Sequence, residues 1–169
     1  MSRIAAGIVA EFQFESANTR TMLERVPEDK FDWKPHEKSM TIGRLATHLA
    51  ELPQWCGTIL DQEELDLAGS DYKPVTASSV AELLELFDAN AEAFLQSVGE
   101  RNDDEMLAGW TLRVGDNILG TQPKVSALRA FILSHAVHHR GQLSVFLRLL
   151  DVPLPQVYGP TADDLGAFG

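Results

Sequence analysis

Four stretches of this chain carry apolar residues at the three- and four-residue spacing of a helix, and no stretch between them alternates convincingly as a strand. The most regular is VAELLELFDANAEAFLQSV, where Val80, Leu83, Leu84, Phe87, Ala91, Phe94, Leu95 and Val98 keep the period throughout. Ser79 and Glu82 read as a capping box ahead of it and Gly99 as its stop. An earlier stretch spans about residues 4 to 25, with Ile4, Ile8, Phe12, Met22 and Val26 near one stripe and Pro27 as terminator. Ser39 or Thr41 is placed to cap TIGRLATHLAELPQWCGTIL, and Pro53 inside that pattern predicts a kink or a split. The last runs from about 122 to 150, with Pro123 in its first turn and Asp151-Val152-Pro153 ending it. WTLRVGDNI, with Gly115-Asp116-Asn117 between apolar residues, reads either as a short hairpin or as a loop. Four amphipathic helices predict an all-α four-helix bundle, one domain over 1–169, closed by the irregular tail PLPQVYGPTADDLGAFG.

Charge narrows the function. Fourteen basic residues against twenty-five acidic ones give a net charge of −11, the wrong sign for neutralising phosphates, so neither nucleic acid nor an anionic membrane is an expected partner. No apolar run reaches the ~20 residues of a membrane span. The opening MSRIAAGIVAEFQFES has its apolar patch interrupted by Glu11 and Glu15, which does not read as a signal peptide and makes the cytoplasm the expected compartment. A lone cysteine, Cys56, excludes an intramolecular disulfide and a thiolate-rich metal site. It is expected as a small buried hydrophobe.

The histidines are distributed unevenly. Three of five fall in SHAVHHRGQ, residues 134–142. At about 100° per residue His135 and His139 lie ~40° apart. Leu128, Phe131, Gln142, Phe146 and Leu149 project to the same side, with Arg140, Ser144 and Arg148 opposite. On the second helix His48 sits among Leu45, Leu52, Trp55 and Ile59, flanked by Arg44 and Glu51. Three inward imidazoles would each cost about 1–3 kcal/mol if unpartnered. A shared divalent transition metal removes that cost, because neutral imidazole ligates zinc, nickel, copper or iron and an HxxxH pair on one turn can chelate. Three histidines leave at least one position open, the arrangement of a catalytic site rather than a structural one. HxxxH alone is common by chance; its inward placement together with His48 gives it weight. His36, in KPHEK, reads as solvated, and His138 as a surface or supporting residue.

SMTIGRLATHLAELPQW, SHAVHHRGQLSVFLRLLDVPLP and VYGPTADD, with WTLRVGDNILGTQPK in looser form, resemble the DinB family of damage-inducible, YfiT-like metal-dependent enzymes. The resemblance covers nearly the whole chain. It implies a four-helix bundle with a long crossover and a divalent metal, zinc or nickel foremost, held by His48, His135 and His139. It also implies a homodimer, and a small-molecule substrate that in some relatives is a low-molecular-weight thiol used in transfer or isomerisation.

The expected function is therefore a metal-dependent transferase or hydrolase. Gln142 is placed to bond a metal-bound water or substrate, Glu51 to orient an imidazole or act as general base, and Arg44 to hold an anionic substrate. The competing expectation is a stress-response protein that binds a metal or small ligand without turnover.

Overall fold

Capping decides where the helices begin in the computed structural model, which describes residues 1–69 and 73–163. Ser2 accepts from the Ala5 N–H and opens α1 (Arg3–Leu23). Thr41 accepts from the Arg44 N–H and opens α2 (Ile42–Glu51). Pro53 splits the second stretch as expected: a 3₁₀ turn, Leu52–Gln54, separates α2 from α3 (Trp55–Asp61). Ser79 accepts from the Glu82 N–H at the start of α4 (Val80–Gly99). The reciprocal half of that capping box is redirected, since the Glu82 carboxylate takes the Ser78 N–H and hydroxyl instead. A complete box forms at Asn102 and Glu105, opening the short α5 (Asp103–Leu107).

The all-α four-helix bundle is not what forms. The fold is α+β, with a three-stranded mixed sheet beside the helices. β1 (Glu64–Asp66) runs parallel to β2 (Gly109–Val114), and β2 runs antiparallel to β3 (Asn117–Pro123). WTLRVGDNI is thus part of a hairpin, turned at Gly115, whose φ of 55° suits a residue without Cβ. Arg113 reaches Glu64 at 3.1 Å and Asp66 at 3.6 Å, clamping β1 to β2. The connection after α3 is therefore more than a crossover, because it supplies the edge strand of the sheet. β1 escapes a periodicity reading because it is three residues long, and β3 because nearly all of it is exposed.

The last helical stretch also departs from its wheel. It consists of α6 (Lys124–Leu128), a π turn (Arg129–Leu133) and α7 (Ser134–Leu149). The Ser134 N–H donates five residues back, to the Arg129 carbonyl. A π turn advances less per residue than an α-helix, so everything after it is rotated relative to Leu128. The buried positions of α7 are His139, Arg140, Leu143 and Leu147, because α1 as well as α2 packs against it. Arg140, expected outside, is 2% exposed, while Leu149, expected inside, is 58% exposed.

α4 packs on α1 and α2, and α7 packs on α1 and α2. One apolar cluster centres on Phe12 and Phe94, whose rings stack at 3.8 Å, with Leu128, Ile132 and Trp110. Another joins Met22, Leu45, Leu49, Phe87, Leu143 and Leu147. No described helix is long and apolar enough to cross a membrane. Residues 153–163 are irregular, as expected; 164–169, the rest of the predicted tail, lie outside the described residues. The tail is tied down by Asp163, which accepts from Arg148 at 2.6 Å and from the Leu154 N–H at 2.8 Å.

Candidate metal centre

The placement of His48 follows from how α2 is anchored. Gly43 lies against Phe31: its N–H donates to the Phe31 carbonyl at 3.0 Å, and a Cβ there would stand 2.9 Å from that oxygen. Thr47 donates to the Gly43 carbonyl (2.8 Å) and accepts from the Ala77 N–H (3.0 Å), fixing the segment that leads into α4. Leu45, Leu49 and Leu52 fill the core, and His48 emerges half-buried one turn beyond Arg44.

His135 and His139 sit one turn apart on α7, just past the π turn. His135 Nδ1 donates to the Phe131 carbonyl at 3.3 Å. His139 Nδ1 lies 2.7 Å from Gln142 Oε1, to which it donates. A proton on each Nδ1 leaves each Nε2 as a bare lone pair. His135 Nε2 is 2.8 Å from His139 Nε2 and 3.4 Å from His48 Nε2. One ligand atom from each of the three rings lies within 4.8 Å of the others. Lone pairs facing one another at such distances repel unless a positive charge sits between them.

A proton is a poor candidate for that charge. Burial pushes all three imidazoles below their usual 6.5, and for His48 the neighbouring histidines and Arg44 add to the effect, bringing it down to about 4. A divalent ion fits better. With metal–nitrogen bonds of about 2.0–2.1 Å, two imidazole nitrogens stand about 2.9 Å apart at a right angle and about 3.4 Å apart at a tetrahedral angle. The observed spacings match those two values, and the ligands are already deprotonated as metal binding requires.

The other residues singled out in the sequence are placed as follows. Gln142 holds His139 while itself remaining exposed. Glu51 is 3% exposed and pairs with Arg44 at 2.8 Å, and Arg44 also donates to the Val75 carbonyl at 2.9 Å. His138 is exposed, its ring 4.9 Å from that of His139, and His36 is exposed. Cys56 is buried, and burial pushes its thiol up to about 12, so it is an inert apolar filler.

Periodicity missed the surroundings of the cluster. His48 and His135 open onto a cavity of about 240 Å³, walled on one side by Leu52, Trp55 and Ile59 and on the other by the sheet residues Trp110 and Leu112. His139 and Gln142 open onto a separate cavity of about 400 Å³ that Lys38 and Ser39 also line. The alternation Trp110, Leu112 in WTLRV was the available signal, since both side chains leave the same face of β2.

Three histidines from the second and the last long helical stretch, beside a small sheet, define a class. The chain belongs to the DinB family, which it matches over residues 1–166. It is 26% identical over 161 residues to the uncharacterized protein YrdA of Bacillus subtilis (strain 168), covering 94% of this chain and 90% of that one. The crystal structure of a DinB-like protein from Bacillus cereus ATCC 10987 superposes with a TM-score of 0.69 at 23% identity, covering 90% of this chain and 97% of its own. That of the DinB-like protein YjoA from Bacillus subtilis gives 0.69 at 18% identity, covering 89% and 97%. At these identities the structural likeness is one of fold.

Proposed function

We propose that this protein is a divalent-metal-dependent enzyme of the transferase or hydrolase type, with His48, His135 and His139 as the protein ligands and zinc or nickel as the ion. The observation that carries the reading is the convergence of imidazole nitrogens at 2.8 and 3.4 Å, two of them left as lone pairs by the Phe131 and Gln142 contacts. A bound ion would supply Lewis-acid activation of a water, or of a low-molecular-weight thiol, in the coordination position that three histidines leave free.

The remaining work falls to the chain itself. Phe131 and Gln142 fix the tautomers and ring orientations of His135 and His139. Burial, with a smaller contribution from the neighbouring histidines and Arg44, keeps His48 unprotonated, while the Arg44 guanidinium is held by Glu51 and the Val75 carbonyl. The cavity beside His48 and His135 has almost no polar lining, while the one beside His139, with Lys38, Ser39 and Gln142 in its lining, would admit the thiol or water.

The test begins with untagged protein expressed in medium containing zinc, nickel and manganese. About one equivalent of metal per chain is expected, and its loss in His135→Ala with the fold intact. Turnover in a screen of thiol conjugations and hydrolyses, abolished by the same substitution, identifies an enzyme. Metal without turnover would leave a binding protein, and no metal in the folded wild type would remove the proposal.

A further inference from the structure

The cavity next to His48 and His135 has no polar wall apart from those two imidazoles. Leu52, Trp55, Ile59, Leu65, Leu112 and Phe131 line it, none of them charged, and Leu67, 43% exposed, stands at its rim. In the metal-free protein a charged ligand entering here would give up its hydration with no countercharge in return. The walls are also aromatic. Trp110 and Phe131 face the space with rings 5.7 Å apart and tilted by 57°, and Trp55 adds a further indole. Such surfaces favour a flat, π-rich body.

One polar group in this wall is left over. Trp110 is 2% exposed, yet its indole N–H finds no acceptor among the described residues. Buried donors without partners are rare in native folds and ask for an explanation. The same residue lines the cavity, and an acceptor carried by a bound molecule would satisfy the N–H.

We infer that this cavity binds a neutral, flat, largely apolar molecule bearing a hydrogen-bond acceptor for Trp110, and presents it to the histidine cluster as the second reactant. The presentation to the metal rests on the function proposed above; the selectivity of the cavity does not.

The probe is prodan, a neutral naphthalene ketone whose emission reports on polarity, set against anilinonaphthalene sulfonate, an anionic naphthalene dye. Saturable binding of one prodan per chain is expected, at least about tenfold tighter than the sulfonate. Leu112→Glu, which puts a carboxylate on the wall, and Leu67→Lys, which puts an ammonium at the rim, should each weaken prodan at least about tenfold, with circular dichroism checking the fold. Should Leu112→Glu fail to fold, Leu67→Lys decides. Trp110→Phe keeps the ring and removes the donor, and should weaken prodan about three- to tenfold.

Equal affinity for the two dyes, or prodan binding untouched by the wall and rim variants, would overturn the site. Unchanged affinity in Trp110→Phe would overturn the role of its N–H. Zinc titrated into the same samples keeps the two readings apart. Prodan bound without zinc binding leaves the cavity and sinks the metal centre, and zinc bound without prodan does the reverse.

Discussion

Arg140 gives the most quantitative test of the structure, because its position contradicts its place on a helical wheel. The side chain is 2% exposed and every bond it makes is to another segment. Nη1 donates to the Glu15 carbonyl (3.0 Å) and the Thr19 hydroxyl (3.1 Å). Nη2 donates to Glu15 Oε2 and to the Tyr158 hydroxyl, both at 2.6 Å, while the Tyr158 hydroxyl donates to the Glu15 carboxylate. One guanidinium therefore holds α1, α7 and the tail together. Replacing it with methionine keeps the stem and leaves the Glu15 carboxylate without its counterion. Breaking a buried pair in this way costs about 3–5 kcal/mol. Glu15 retains the tyrosine hydroxyl and its side chain is 13% exposed, which places Arg140→Met near the lower bound, about 3 kcal/mol. In a chain of this size that lowers Tm by about 6–12 °C. Urea unfolding followed by circular dichroism measures it directly. Tyr158→Phe should cost only about 1 kcal/mol, and Glu15→Leu combined with Arg140→Met should recover part of the loss. A cost below about 1 kcal/mol for Arg140→Met would mean that the guanidinium is solvated and that the tail does not dock on α1.

Other perturbations address the site and its scaffold. Stability of the metal-free protein should be complete above pH 6.5 and decline as pH falls toward about 4, since the three histidines have folded pKa values below their unfolded ones and the unfolded chain takes up protons first; a urea midpoint unchanged between pH 7.5 and 4.5 would refute this. Gln142→Ala should weaken zinc binding about tenfold by freeing the His139 ring, read by competition with a chromophoric chelator, with equal affinity as the refuting result. Gly43→Ala drives a methyl into the Phe31 carbonyl and should destabilise by about 1–3 kcal/mol in thermal melts; a neutral effect would show that the Phe31 loop yields freely.

The histidine set was legible because its signal is local. His135 and His139 are four apart on one helix, and an apolar stripe around His48 is visible without knowing what packs on it. The helices were legible for the same reason, as was the break at Pro53. What could not be read depends on partners distant in sequence. β1 becomes a strand only because β2, more than forty residues later, offers it a parallel edge. The cavity needs that sheet on one side and α2, α3 and the π turn on the other, so no window of sequence contains it. Arg140 was misplaced because a wheel cannot show what covers the side of α7 opposite His135: α1 and Tyr158 of the tail pack there and supply the partners for its guanidinium. Glu51 and Arg44 were each read as flanks of His48 with separate roles in the site, whereas a buried carboxylate and its guanidinium partner face one another.

The five residues from Arg129 to Leu133 hold two halves of one rod out of phase. Upstream, Ala127 and Leu128 must meet the Phe12–Phe94 stack; downstream, the imidazole pair must meet α2. Shorten this segment by a single amino acid and the rod would wind evenly, but then one half or the other would be turned by about a quarter of a revolution. The chain could keep its packing or its histidine convergence, not both. The extra residue is thus a phase shifter, and any homologue lacking it would need to recruit its paired histidines from different positions along the helix.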